Sequence, residues 1–226
     1  EAVKARGHLK EGLSRLETMR VEDAKELFAQ ARQRFVRIGN TIEILQADFL
    51  LARCYRQKNE VAARSQIYER LSQTCARSEY RWLLTQILMA QTFVQSSLAN
   101  DSNVLEIGRR GLQISTAIND SNSSAKFLLQ VAESYHNLGD YYGALKFYFQ
   151  GLKLVTQPSA EPLARWAVYM SMAVPLNSIR RHAAAALYQQ ESLRIAEESK
   201  NEKRIGVSYV NLGVTYSYLR NHTAAT

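Results

Sequence analysis

The sequence is poor in residues that break helices and in residues that carry chemistry. Only three prolines (Pro158, Pro162, Pro175) and ten glycines are spread over 226 residues. With so few breakers, and with plentiful Ala, Leu, Gln, Glu and Arg, helix is favoured throughout. The two cysteines, Cys54 and Cys75, stand 21 apart, a spacing that belongs to no metal-ligand pattern. Both fall in helical patterns, where a buried thiol acts as a small hydrophobe, and their use suits a reducing compartment. There is no His-Glu-x-x-His, no Gly-x-x-x-x-Gly-Lys and no Gly-x-Ser-x-Gly, so the signatures of zinc peptidases, phosphate-binding loops and serine hydrolases are missing. The reading is a chain without catalytic residues, metal site or cofactor, and therefore not an enzyme. No apolar run approaches the ~20 residues of a membrane span, and a cytoplasmic location is expected.

Charge narrows the partners little. The net charge is +8 and the pI is about 9.5, which favours attraction to something acidic. The stretch 1–80 carries 15 basic and 11 acidic side chains, and the longer stretch 81–226 carries 14 and 10. The excess is therefore denser at the N-terminal end. No cluster of Lys and Arg resembles a nucleic-acid footprint, and no basic residue recurs at a fixed step as a base-reading array requires.

What is present is repetition. Ile179-Arg180-Arg181-His182-Ala183-Ala184-Ala185 returns, at an offset of 40, as Leu219-Arg220-Asn221-His222-Thr223-Ala224-Ala225, and Gly139-Asp140-Tyr141-Tyr142-Gly143-Ala144 is a third variant 40 upstream. A fixed period in this range marks an array of stacked hairpins rather than one globular core. Within a unit, Phe127, Leu128, Val131, Ala132, Tyr135 and Leu138 make one apolar stripe. After Gly139-Asp140, Ala144, Leu145, Tyr148, Leu152 and Val155 make a second, which reads as two amphipathic helices and a turn. The spacing predicts helix pairs at about 2–18/21–37, 41–57/60–76, 80–97/102–117, 121–138/141–156 and 160–179/182–198, with a further helix at about 202–219. Repeats then run 1–40, 41–79, 80–120, 121–159, 160–200 and, incomplete, 201–226. Small residues recur 12 apart, at Gly12/Ala24, Ala132/Ala144, Ala173/Ala185 and Gly213/Ala225, where helix axes must approach closely. Pro175 falls inside a predicted helix, where it should bend it. Tyr55, Tyr135, Tyr148, Tyr169, Tyr209 and Tyr216 lie on the packing stripes, and Trp82 and Trp166 read as core or joint residues.

The residues Tyr209, Leu212, Gly213, Tyr216 and Ala225, with Val131, Ala132, Tyr135, Gly139, Tyr141, Ala144 and Tyr148, and Ala24, Phe28 and Ala31, resemble the tetratricopeptide repeat. The usual unit has about 34 residues. This chain is similar to the longer variety of kinesin light chains, maltose-type transcription activators and bacterial signalling proteins. The resemblance implies an all-α, right-handed superhelical solenoid of antiparallel helix pairs, over the whole chain. The opening at Glu1 and the stop at Thr226 fit a segment of a larger protein, with self-association expected through the C-terminal end.

In that family the first helices line a concave groove. Carried over by position, the groove candidates are Phe49, Arg53, Arg56, Gln91, Gln130, Glu133, Asn137, Met170, Val174, Asn211, Val214 and Tyr218. Asn177 and Val210 lie on the same face. Arg53 and Arg56, three apart on one helix face, suit a carboxylate or phosphate, whereas Met170, Val174, Val210 and Val214 make an apolar stretch. An asparagine ladder, which some members use to hold a peptide backbone, is matched only at Asn211; Leu50, Leu88, Gln130 and Ser171 stand elsewhere. The expected partner is a protein or peptide, amphipathic with acidic residues at one end, held on a scaffold. The alternative is the sensor arm of a larger signalling protein whose effector domain lies outside this segment.

Overall fold

The computed structural model describes residues 1–55, 60–156 and 161–224. Among them are eleven helices and no strand: α1 Ala2–Glu17, α2 Val21–Arg37, α3 Thr41–Cys54, α4 Val61–Arg77, α5 Arg81–Ser97, α6 Asp101–Ala117, α7 Ser121–Asn137, α8 Tyr141–Val155, α9 Pro162–Ser178, α10 His182–Glu198 and α11 Glu202–Ala224.

The joints explain the period. A residue with positive φ recurs at Met19, Gly39, Glu79, Ala99, Asn119, Gly139, Arg180 and Lys200. The step is 20, or about twice that where a joint falls outside the described residues, and only two of the eight are glycine. Each lets the next residue's N–H reach back to a carbonyl five positions earlier. Arg20, Asn40, Tyr80, Asn100, Asp120, Asp140, Arg181 and Asn201 all donate in this way, at 2.8–3.2 Å. This closes the preceding helix. The same residue opens the following one. Side-chain oxygens of Asn40, Asn100, Asp120, Asp140 and Asn201 accept the N–H three residues on, which satisfies a donor the helix cannot pair internally. A helix of 17 residues, the length of α2, α5, α6, α7, α9 and α10, and a three-residue joint make a half-repeat of 20.

The chain packs as two units, Glu1–Val94 and Gln95–Thr226. In the first, α1 pairs with α2, α2 with α3 and α3 with α4. Phe28, Phe35, Leu71, Leu83, Ile87 and Leu88 are its most buried large residues. Gly12 is required there, because a Cβ would lie 2.5 Å from the Phe28 ring. Arg32 on α2 pairs with Asp48 on α3, and Arg6 on α1 with Glu43. Cys54 and Cys75 are buried, and burial pushes the Cys75 thiol up to about 11.

In the second unit each of α6 to α11 packs on the next, and the first helices also meet, α7 against α9 and α9 against α11. Phe127 of α7 fills the space over Gly111 of α6, where a Cβ would be 2.2 Å from the ring. Ala132 and Ala144, and Ala173 and Ala185, are fully buried and join the core clusters with Tyr148, Val168 and Met172, and with Leu145 and Leu176. Trp166 Nε1 of α9 donates to Ser208 Oγ of α11 at 3.0 Å, and Arg204 lies over the same ring at 5.7 Å.

Several boundaries and placements differ from expectation. α3 ends at Cys54 rather than 57, because Tyr55 is extended and its carbonyl is taken by Arg64 Nη1 at 3.0 Å. α9 runs through Pro175, which is buried. α11 continues to Ala224, past the turn expected after Leu219. The reversal at Arg180 is followed by the close approach of Ala185 to Ala173, whereas a Cβ on Gly213 would meet nothing within 4 Å. Without that neighbour, Tyr209 and Tyr216 are about half exposed, at 55% and 45%, instead of lying in the core. Trp82 is likewise exposed. The joint at 157–159 and the final small pair's Ala225 lie outside the described residues. No helix among those described is long and apolar enough to cross a membrane.

Replacing Ala99 or Lys200 by Gly removes the Cβ conflict of a left-handed residue and should stabilise the chain by about 1 kcal/mol. Asp140→Ala removes a cap and should cost about 1 kcal/mol. Urea unfolding monitored by circular dichroism measures both, and the opposite signs separate the two halves of the joint.

Candidate functional site

The groove candidates divide by unit. In unit 1, Phe49 is buried and its ring packs 5.8 Å from that of Tyr68, so it belongs to the interior rather than to an open face. Gln91 is also buried, with its amide spent on Glu69 of α4 at 3.1 Å. Arg53 is exposed and close enough to Tyr68 to oppose the effect of burial, which pushes that phenol up to about 12. Arg56 lies outside the described residues.

In unit 2 the face built by α7, α9 and α11 holds the remaining candidates. Gln130 is buried and donates from Nε2 to Glu133 Oε2 at 2.9 Å. Glu133 is half-buried. Burial pushes its carboxyl above the ordinary carboxylate value, and the Gln130 hydrogen bond pulls it back in part. Asn137 is exposed and tied to Asp101 of α6 at 3.1 Å. Met170 is half-buried.

Val174, Asn211, Val214 and Tyr218 come together. They line one cavity of about 490 Å³, with Asn177 and Ser178 from α9, Arg180 from the turn, and His182 and Gln189 from α10. Val174, Val214 and Tyr218 are each close to half exposed and supply the apolar wall. The polar wall is braced. His182 Nδ1 lies 2.9 Å from Asn177 Oδ1, and Asn177 Nδ2 donates to Thr215 Oγ1 at 2.8 Å. The amide of Asn177 thus ties the imidazole of α10 to Thr215 of α11. The imidazole stacks on Tyr218, with ring centroids 5.3 Å apart.

Gln189 was not singled out by the sequence pattern, yet it creates the cavity. Its equivalents in the other repeats are Phe28, Tyr68, Gly108 and Tyr148. Phe28, Tyr68 and Tyr148 are buried aromatics, and Gly108 is covered by Val131 of the next helix. At 189 the ring is replaced by a shorter amide, which leaves the cleft between α9 and α11 unfilled. Gln189 is 4% exposed, and its Oε1 has no hydrogen-bond partner among the described residues. An unpaired buried acceptor costs about 1–3 kcal/mol, so this residue favours a donor arriving from outside. Asn211 is half-buried. The signal that would have found Gln189 is a polar residue at a repeat position otherwise aromatic or covered. No cluster of His, Cys, Asp and Glu among the described residues has the make-up of a metal site.

No family model and no curated protein matches the chain. Solved structures do. One is a signal transduction ATPase with numerous domains carrying a tetratricopeptide repeat sensor, from Pyrococcus horikoshii: 15% identity, TM-score 0.80, covering 94% of this chain and 32% of that one. A Rap protein complexed with competence and sporulation factor aligns at 11% identity and TM-score 0.77, covering 97% of this chain and 65% of that one. NprR in complex with its cognate peptide NprX aligns at 16% identity and TM-score 0.65, covering 94% and 61%. At these identities the likeness is one of fold, and the fold is the tetratricopeptide-like helical repeat. This chain spans about a third of the Pyrococcus ATPase and somewhat under two thirds of the other two.

Gln189→Phe restores the aromatic of the other repeats and should raise stability by about 0.5–2 kcal/mol by filling the cleft. Gln189→Ala should not. Glu133→Gln gives a pH signature. A carboxyl whose value is raised by folding holds its proton more tightly in the native state, so its penalty is absent below the unfolded value and grows as pH rises through the folded one. The variant should therefore melt higher than the parent at pH 7, with the gap closing near pH 4. A gap that does not depend on pH would show that Glu133 is solvated.

Proposed function

We propose that the chain is a non-catalytic binding scaffold that holds a peptide or helical segment of another protein on the face of unit 2 lined by α7, α9 and α11. The observation that carries this reading is the cavity between α9 and α11. Val174, Asn211, Val214 and Tyr218 line it, and its wall includes Gln189, whose buried amide oxygen has no partner among the described residues. Val174, Val214 and Tyr218 receive an apolar side chain, and Gln189, by turning its amide into the cavity, accepts from a backbone N–H of the same residue. Asn211 offers a second amide to the flanking peptide bond. About 490 Å³ falls within the usual range for ligand pockets, roughly 300–1,000 Å³. The likeness to NprR in complex with its cognate peptide supports a peptide as the occupant. In unit 1, exposed Arg53 is the contact for an acidic residue of a partner.

A second reading draws on a separate observation. The Pyrococcus protein carries a tetratricopeptide repeat sensor within an ATPase of numerous domains. By analogy this chain is the sensing arm of a larger signalling protein, and peptide capture by unit 2 is its input.

The test is selection of random twelve-residue peptides, displayed within a phage loop, on the purified chain. Selected peptides should share an apolar residue, and Val174→Glu or Gln189→Phe should lower their affinity at least about tenfold, the effect of burying an unpaired charge or filling the cleft. Selected peptides that bind both variants as well as the parent would remove this face from the reading.

A further inference from the structure

Glu133 occupies on α7 the place that Val174 occupies on α9 and Val214 on α11, at successive steps of 41 and 40 along the chain. Along one face, two apolar residues that wall the cavity are thus followed by a carboxyl. Tyr148 of α8 closes the cleft between α7 and α9 beneath it. This ring is 2% exposed; its hydroxyl bonds Ser171 of α9, and it lies close enough to feel the Glu133 charge. Tyr148 is the equivalent of Gln189, so this cleft has a filled floor and an acidic rim where the next has an open floor and an apolar rim.

The carboxyl is under-committed. Its protein partner is a neutral amide, Gln130 Nε2 at 2.9 Å, and no cation pairs with it among the described residues. Lys126, two turns earlier on α7, is engaged by Glu161 at 3.6 Å. A carboxylate offers about four acceptor sites, and a half-buried one gains more from an incoming cation than a solvated one, because less water stands between the charges. The carboxylate oxygen that Gln130 does not hold can accept from a charged donor.

We propose that Glu133 is a cation-recognition subsite of the unit 2 groove, taking the Lys or Arg side chain of a bound peptide whose apolar residue fills the cavity beside Val174 and Val214. Neighbouring helix axes lie roughly 8–10 Å apart, which places the cavity, one and a half spacings away, about 12–15 Å from α7. An extended chain advances about 3.3 Å per residue, so basic and apolar residues stand about three to five positions apart. This inference rests on the peptide-binding reading above. It refines that reading: the groove of unit 2 selects a basic and apolar pair, and an acidic contact belongs to Arg53 in unit 1.

The experiment uses the same loop-displayed twelve-residue library, in which no free terminus is offered, on the full chain, on Glu133→Gln and on Val174→Glu. Glu133→Gln keeps an acceptor for Gln130 and folds. Thermal melting of the parent and both variants verifies this before selection. The parent should enrich Lys or Arg about three to five positions from an apolar residue. Glu133→Gln should keep the apolar preference and lose the basic one, and a selected peptide with its Lys changed to norleucine should bind the parent about tenfold more weakly. A basic preference unchanged in Glu133→Gln, or a parent pool with an apolar preference and no basic one, overturns the subsite alone. A parent pool without apolar enrichment, or one untouched by Val174→Glu, overturns the groove reading and the subsite with it.

Discussion

A left-handed residue closes eight of the helices, and the regular spacing of the structure follows from it. It fixes where each helix stops, and the carbonyl it frees is satisfied by the residue that starts the next helix. Helix length and joint length are therefore set locally. With both fixed, side chains 40 or 41 apart in the chain fall on equivalent faces, and the small residues that permit close approach, Ala132 to Ala144 and Ala173 to Ala185, meet within each pair. The alignment of Glu133, Val174 and Val214 along one face follows from this repeat of 40 or 41 residues. Six of the eight left-handed residues are not glycine, so the fold tolerates a conformational cost of about 1–2 kcal/mol at each of those joints. Packing of the apolar stripes offsets it.

Function enters where the repeat is imperfect. Three repeats place a buried ring at the position of Gln189, and a fourth has a glycine there that Val131 covers. Gln189 departs from that series; it lines the cavity, and its amide oxygen has no partner among the described residues. One repeat earlier the cleft is filled by Tyr148 and the rim residue is Glu133. A regular scaffold thus acquires two adjoining and chemically distinct places, one apolar with amides and one anionic, through two substitutions at repeat positions. His182, Asn177 and Thr215 form a hydrogen-bonded brace behind the first. This holds the polar wall in place without ligand and reduces the entropy lost on binding.

Much of this architecture was legible in the sequence because its signals are local. Gly39 and Gly139 announce their joints, and Asn40, Asp120 and Asp140 are recognisable caps. The left-handed conformation of Ala99, Arg180 and Lys200 is not legible in residue type; it is imposed by the helices on either side. Groove placement was less legible. A helical face can be read to within one residue position, about 100°, and long side chains cross that margin. Phe49 leans onto Tyr68, and the amides of Gln91 and Gln130 turn to Glu69 and Glu133. Tyr209 and Tyr216 carry the core pattern of the repeat, but such a pattern buries a ring only where a neighbouring helix covers it. Gln189 was missed because a single polar residue in a helix carries no signal by itself and gains one only by comparison with its repeat equivalents.

The most direct measurement is a crystal structure of the chain bound to a peptide selected on it. An apolar side chain of the peptide should lie against Val174, Val214 and Tyr218, with a peptide N–H donating to Gln189 Oε1. A peptide seated on the outer face of α8 and α10, or on unit 1 alone, with the cavity beside Gln189 unchanged, would contradict it.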